Sequence, residues 1–272
     1  MKKMKLSFST LGCPNWTWNE ILAIAKDLGM SGVEIRGLGD EMYAPALKIF
    51  APDKLQGTLS KLKEMNLEIP ILTSGAFFAD KAKADEAFGE ACAYIDLAEK
   101  TGIPYIRVMA EPTPEPQNGD MALAAKLYGQ LCDYAKDTGV TPLIETNGQL
   151  GSIAAMQDFL SAAGRNNMGV LWDIHHTVRF YNETPGRVIS ALGRYIKHVH
   201  IKDSFMENGK ISYRMMGYGD IPALDALREL ENMCYGGFIS FEWVKRWNPE
   251  LEEPGIAFAY FCSYMNYLLK KL

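Results

Sequence analysis

Short runs of β-branched and apolar residues alternate with longer stretches at helical spacing from one end of this chain to the other. That rhythm restricts the fold more than any other feature. The strand-like runs are KLSFST, GVEIRG, LEIPILTSG, PYIRVMA, TPLIETNG, MGVLWDIHH, IKHVHIKD and GFISFEW. Between them lie helix candidates such as TWNEILAIAKDLGM, PDKLQGTLSKLKEMN and KADEAFGEACAYIDLAEKTG, with glycine stops expected at Gly29, Gly102 and Gly139. A last helix is expected over 253–271, opened by Glu252, Glu253 and Pro254 and closed by Lys270 and Lys271, as the helix dipole favours. Eight strand–helix units without a break in composition predict one closed (β/α)8 TIM barrel, a single α/β domain over residues 1–272. A doubly wound open sheet is the competing architecture. Its dinucleotide loop is missing, because GLGDEM (37–42) and GYGDIP (217–222) each lack the third glycine. The proline-rich AEPTPEPQNGD (110–120) falls inside the rhythm and is expected as a long loop at the barrel mouth.

Composition narrows the partners. A net charge of −5 argues against bulk attraction to nucleic acid or to an anionic membrane. The cysteines (13, 92, 132, 234 and 262) are scattered with no CxxC, as expected for reduced thiols. The opening MKKMKLSFST has cations but no apolar stretch of signal-peptide length. The apolar GIAFAYFCSYMNYLLKKL is short for a bilayer span and is interrupted by Ser263 and Asn266, so it reads as a packed helix. The expectation is a cytoplasmic protein with no membrane or nucleic-acid partner.

In a parallel barrel the chemistry sits at the C-terminal ends of the strands, where the βα loops gather. The fifth run ends with Glu145, the sixth with Asp173 and the eighth with Glu242; the seventh carries His198, His200 and Lys202 at alternate positions, hence on one face. All four histidines of the chain lie within residues 175–200. Singly, each group has an ordinary explanation: Glu145 as a solvated cap or salt-bridge partner, Asp173 as the cap of the next turn, His198 as a core histidine bonded to backbone. Together they do not, because converging carboxylates repel unless a cation or proton is shared. Glu145, Asp173, His200 and Glu242 are therefore expected to hold one divalent ion. Three oxygens and one imidazole suit Mn²⁺, Mg²⁺ or Co²⁺ better than a thiolate-rich structural zinc site, with Zn²⁺ still admissible. Lys202 points to the same mouth, either to bind substrate or to pair with a rim carboxylate. Asp203 faces the other way and reads as a structural acceptor. Glu34 and Arg36 share a face and can simply pair. Arg246 either orients Glu242 or meets an anionic substrate. Trp16, Phe77, Phe78, Trp243 and Trp247 could wall the mouth, but aromatics at such positions more often pack the core, and none is named as a ligand contact.

HVHIKD, DIHH, and the strand-ending ETNG and FEW resemble the xylose-isomerase-like sugar phosphate isomerase/epimerase superfamily. This group of (β/α)8 barrels includes D-tagatose 3-epimerase, hydroxypyruvate isomerase, inosose dehydratase and endonuclease IV. The resemblance spans nearly the whole chain, from LGMSGVEIRG to FEWVKRWNPELEEP. It places the family's metal ligands on Glu145, Asp173, His200 and Glu242, and its substrate-contacting histidine on His176, whereas strict strand alternation would turn His175 inward instead. It also implies a small sugar or keto-sugar substrate and an enediolate formed by proton transfer, with Glu145 and Glu242 as the catalytic pair. Relatives commonly form dimers or tetramers, which leaves self-association open. The chain departs from many relatives where Thr146 and Asn147 follow the fifth-strand glutamate, and it lacks an evident phosphate loop after the last two strands. Two rivals share the fold. A metal-dependent lyase acting on a keto-sugar, cyclitol or dehydroshikimate-like ring would use the same ligands. A nuclease of the endonuclease IV kind would need histidines on early strands, where there are none. A third reading is a sugar-binding barrel that has lost its chemistry.

Overall fold

The computed structural model describes residues 3–272. All eight expected strands form: β1 (Lys5–Ser9), β2 (Gly32–Glu34), β3 (Leu72–Phe77), β4 (Tyr105–Met109), β5 (Thr141–Glu145), β6 (Gly169–Asp173), β7 (Ile196–Ile201) and, after an inserted hairpin, β10 (Phe238–Phe241). They run in parallel in the order β3-β4-β5-β6-β7-β10-β1-β2. Bridges Gly32–Glu68 and Ile35–Leu72 join β2 to the β3 segment and close the ring. The helices α1 (Trp18–Asp27), α2 (Leu55–Met65), α3 (Ala84–Thr101), α4 (Met121–Tyr134), α5 (Ile153–Ala163), α6 (Ile174–Tyr181), α7 (Pro185–Leu192), α8 (Ala223–Asn232) and α9 (Pro254–Leu269) cover the outside. The chain thus forms the single TIM barrel that its alternation predicts.

Local chemistry sets the element ends. Thr17 and Glu20 form a reciprocal capping box at the start of α1. Gly29, Gly102 and Gly139 all take left-handed φ values (66°, 71° and 76°), which a helix needs to turn sharply into the next strand. The sequence reading missed one element, the antiparallel hairpin of β8 (Asp203–Glu207) and β9 (Lys210–Arg214). Its turn residues Asn208 and Gly209 both have positive φ (50° and 76°), the requirement of the tight hairpin turns for which Asn-Gly is the strongest local signal.

The main core lies between sheet and helices, where Phe8, Val33, Ile144, Val170, Trp172 and Phe241 are all fully buried. Inside the barrel, Ile71, Leu143 and Leu171 form a separate small apolar floor against Tyr105. Strand alternation then determines what stands above it: two residues on from Tyr105, Leu143 and Leu171 come Arg107, Glu145 and Asp173. Ionisable side chains of β4, β5 and β6 therefore stand on the C-terminal side of this floor.

A buried hydroxyl ties α4 to the sheet. Tyr128 Oη lies 2.9 Å from the carbonyl oxygens of Pro142 and Gly169 and accepts the Gly169 N–H at 3.0 Å. Removing it strands a buried backbone N–H, so Tyr128→Phe is expected to cost about 1–3 kcal/mol and several degrees of Tm. Thermal unfolding followed by circular dichroism measures this; an unchanged Tm would mean that the bonds contribute nothing net.

Candidate active site at the barrel mouth

Glu145 ends β5, Asp173 ends β6, His200 lies near the end of β7, and Glu242 directly follows β10. Each offers one ligand atom, and these four atoms lie within 4.8 Å of one another. The register puts Asp173 directly beside His200. Glu34, on β2, accepts a hydrogen bond from His200 Nε2 at 2.9 Å and another from His198 Nε2 at 3.0 Å. Because a carboxylate accepts only, both Nε2 atoms carry protons. His200 is thereby aimed with Nδ1 at the carboxylates: 3.4 Å from Glu242 Oε1, and 3.8 Å from both Glu145 Oε1 and Asp173 Oδ2. That Nδ1 is buried and has no hydrogen-bond partner.

These residues fit a divalent cation. An orphaned imidazole nitrogen facing three carboxylate oxygens is a donor set that suits a hard or borderline dication, and Glu34 stands where an outer carboxylate would orient such a histidine. The local field already draws positive charge. Burial disfavours a charged His200, yet Glu34 and Glu242 outweigh burial and raise its pKa to about 9. Burial likewise works to raise the Glu242 carboxyl, but Lys202, His200 and His176 hold it at about 2. Burial and neighbouring Glu242 push Asp173 up against the opposing pull of Lys202.

Lys202 is fully buried and pairs with two of the same carboxylates, Asp173 and, at 2.6 Å, Glu242. The pairing that the sequence leaves open is therefore made, although Lys202 also lines the cavity. The choice between the adjacent histidines follows from where β6 stops. Asp173 Oδ1 accepts the His176 N–H at 3.0 Å and so caps α6, ending the strand before alternation can turn His175 inward. His176 lines the cavity, with Nδ1 3.2 Å from Thr146 O and Nε2 3.5 Å from Asp173 Oδ2. Burial and the Lys202 charge lower its pKa to about 3, so its ring is neutral. His175 instead bonds Ser204 Oγ at 2.8 Å and stacks on Tyr213 of the hairpin.

Several expectations change. Glu34 and Arg36 do not pair, because Glu34 reaches deeper into the barrel to the two histidines while Arg36 lies along the cavity. His198 bonds that side chain rather than backbone. Arg246 does not orient Glu242; its guanidinium donates to Gly39 O at 2.6 Å. Of the aromatic candidates, Trp247 lines the cavity, Phe78 and Trp243 are core, Trp16 packs edge-on against Phe258, and Phe77 borders a separate depression on the β3 side. Asp203 is the structural acceptor expected: its carboxylate takes the backbone N–H groups of Ser204, Gly217, Gly219 and Ile221, building the turn before α8.

Sequence reasoning missed three groups. Arg107, inside β4, donates to Glu145 Oε2 at 2.7 Å, with both side chains buried. The arginine inside an otherwise apolar strand run, in YIRVM, is the signal that could have found it. Glu34 acts through His200, as described. Glu111 accepts from the backbone N–H groups of Gln117, Gly119 and Gln149, and so folds the 112–120 loop over the mouth. A side chain at Gly148 (φ 57°) would collide with the Glu111 carboxylate, which is why glycine stands there. The loop supplies Pro112, Thr113, Pro114 and Glu115 to the rim of a cavity of about 390 Å³.

Comparison with known proteins agrees with this architecture. Fructoselysine 3-epimerase of Shigella flexneri is 23% identical over 258 residues, covering 89% of this chain and 90% of its own. A probable 3-DHS dehydratase, AsbF, of Bacillus anthracis superposes with a TM-score of 0.80 at 16% identity, over 97% of this chain and 99% of that one. The IOLI protein, solved with a bound zinc atom, superposes with a TM-score of 0.78 at 18% identity, over 98% and 99% of the two chains. The family model of the xylose isomerase-like TIM barrel matches residues 22–260, and the chain belongs to that family.

Proposed function

We propose that this protein is a sugar isomerase or epimerase that moves a proton at the carbon beside the carbonyl of a ketose or keto-sugar, with one divalent cation held by Glu145, Asp173, His200 and Glu242. The observation that carries the reading is the His200 Nδ1 atom, buried without a partner and facing three carboxylates at 3.4–3.8 Å. The curated relative named fructoselysine 3-epimerase, similar over nearly its full length, supports the reaction class.

When bound, the cation would act as a Lewis acid on the substrate oxygens and stabilise negative charge as the α-proton leaves. The chain's own residues do the rest. Glu242 lies at the cavity face of the cluster with its side chain 12% exposed, whereas the Glu145 side chain is 2% exposed and held by Arg107. Glu242 takes the proton from one face of the carbon, and Glu145, three strands away around the ring, serves the opposite face. Removal at one face and return at the other inverts the carbon; return to the neighbouring carbon isomerises it. Neutral His176 carries its proton on Nδ1, against the Thr146 carbonyl, and offers Nε2 to a substrate hydroxyl. Lys202 keeps a fixed positive charge beside the developing enolate.

Incubation in D₂O with Mn²⁺ and a panel of ketoses tests the reading. Deuterium at the α-carbon, seen by NMR, is the expected result. A new unsaturated chromophore would move the protein to the lyases, and neither change with any substrate would leave a binding barrel.

A further inference from the structure

Three cations line the cavity, and two are already balanced. Lys202 pairs with Asp173 and Glu242, and Arg107 pairs with Glu145. Arg36 is different. Two residues beyond Glu34, it lines the same cavity yet forms no ion pair among the described residues, and its one side-chain hydrogen bond is a long 3.5 Å contact from Nη1 to Met42 O. Its mount is rigid: the Arg36 N–H donates to Thr10 Oγ1 at 2.9 Å, and that hydroxyl donates to Gly37 O at 2.7 Å. Glu90, whose carboxylate accepts the Gly75 N–H at 2.6 Å, acts on Arg36 only from beyond ion-pair distance. Glu115, also on the rim, is exposed and its charge is screened by water.

A part-buried guanidinium with no carboxylate in ion-pair contact is costly, and here a second cation adds to the cost. Burial, then repulsion from Arg107, lower the Arg36 pKa to about 10 against the weaker opposing pull of Tyr94, Glu90 and Glu242. An anionic oxygen group removes that cost and gains the paired, planar hydrogen bonds for which arginine is suited. The cavity, at about 390 Å³, has room for a sugar carrying a further substituent.

We propose that Arg36 recognises an anionic oxygen group on the substrate, a carboxylate or a phosphate ester placed away from the reacting carbonyl. This rests on the proton-transfer reading above and narrows its substrate class to acidic sugars. Three 2-ketohexoses that differ only at C6 provide the test: fructose, fructuronate and fructose 6-phosphate. Binding is measured by isothermal titration to the Mn²⁺-loaded protein and to chelated protein. At least one acidic sugar is expected to bind about 10–100-fold tighter than fructose, the contribution of one charge-assisted contact. The preferred acid identifies the group as carboxylate or phosphate. Arg36→Met and Arg36→Gln should bring the acidic sugars down to the affinity of fructose, while Arg36→Lys retains part of the preference. Equal binding of all three sugars by the wild type, or a preference that survives in a folded Met or Gln variant, overturns the proposal. Deuterium uptake followed on the same samples separates the two readings. Failure of exchange with every sugar sinks the proton-transfer chemistry, whereas the ranking of affinities alone decides the role of Arg36.

Discussion

Replacement of His200 by alanine is expected to strip the protein of bound divalent ion. Purified without chelator and assayed by plasma mass spectrometry, the wild type should carry about one ion per chain if the four-residue cluster is a metal site. His200 provides the only nitrogen among the four clustered donors, and its Nδ1 has no other use. A graded companion is Glu34→Gln. The amide can still accept from one imidazole but loses the negative charge that makes His200 a better donor. Loss of an outer carboxylate of this kind weakens metal affinity about 10–100-fold. His200→Ala should therefore exceed Glu34→Gln, and both should exceed His175→Ala, whose ring bonds Ser204. Unchanged metal content in His200→Ala and Glu145→Gln would remove the site altogether.

Glu242→Gln is expected to reduce α-proton exchange by about 10²–10⁴-fold, the usual share of a positioned acid or base. Glu145→Gln should reduce it similarly, but the two substitutions differ in their cost to the fold. Glu145 is the ion-pair partner of buried Arg107, and breaking a buried pair from one side costs about 3–5 kcal/mol, less where the amide still accepts a hydrogen bond. Glu242 is partly open to the cavity, and Lys202 keeps Asp173 as a partner when it is lost. Glu242→Gln is thus the cleaner chemical test and Glu145→Gln the one that needs a melting curve beside it. If either variant, folded and loaded with metal, turned over at the wild-type rate, the two-carboxylate mechanism would be wrong.

Much of the site is legible in the chain because a β-strand repeats every two residues. Leu143 to Glu145 and Leu171 to Asp173 each read as floor then rim, and His198, His200 and Lys202 as one face of a strand. Where the period ends, local reading loses its footing. The choice between His175 and His176 depends on Asp173 capping α6 with its own side chain, a hydrogen bond that alternation does not contain. The Asn208-Gly209 hairpin carries a turn signal in its sequence, but the alternation of apolar runs with helical stretches does not include it.

The alternation of apolar runs with helical stretches, a local property, was enough to determine the barrel and the rim positions of Glu145, Asp173, His200 and Glu242. Only the closed ring decided their partners. Glu34 meets His198 and His200 across 164 and 166 residues, and Arg107 meets Glu145 across 38. Such contacts depend on which strands become neighbours or face one another across the barrel, and on how far each side chain reaches into a space that no single segment defines. Charge balance inside that space is a sum over all eight strands, so Arg36, the cavity-lining cation without a carboxylate in contact among the described residues, could be recognised only after the others had been paired.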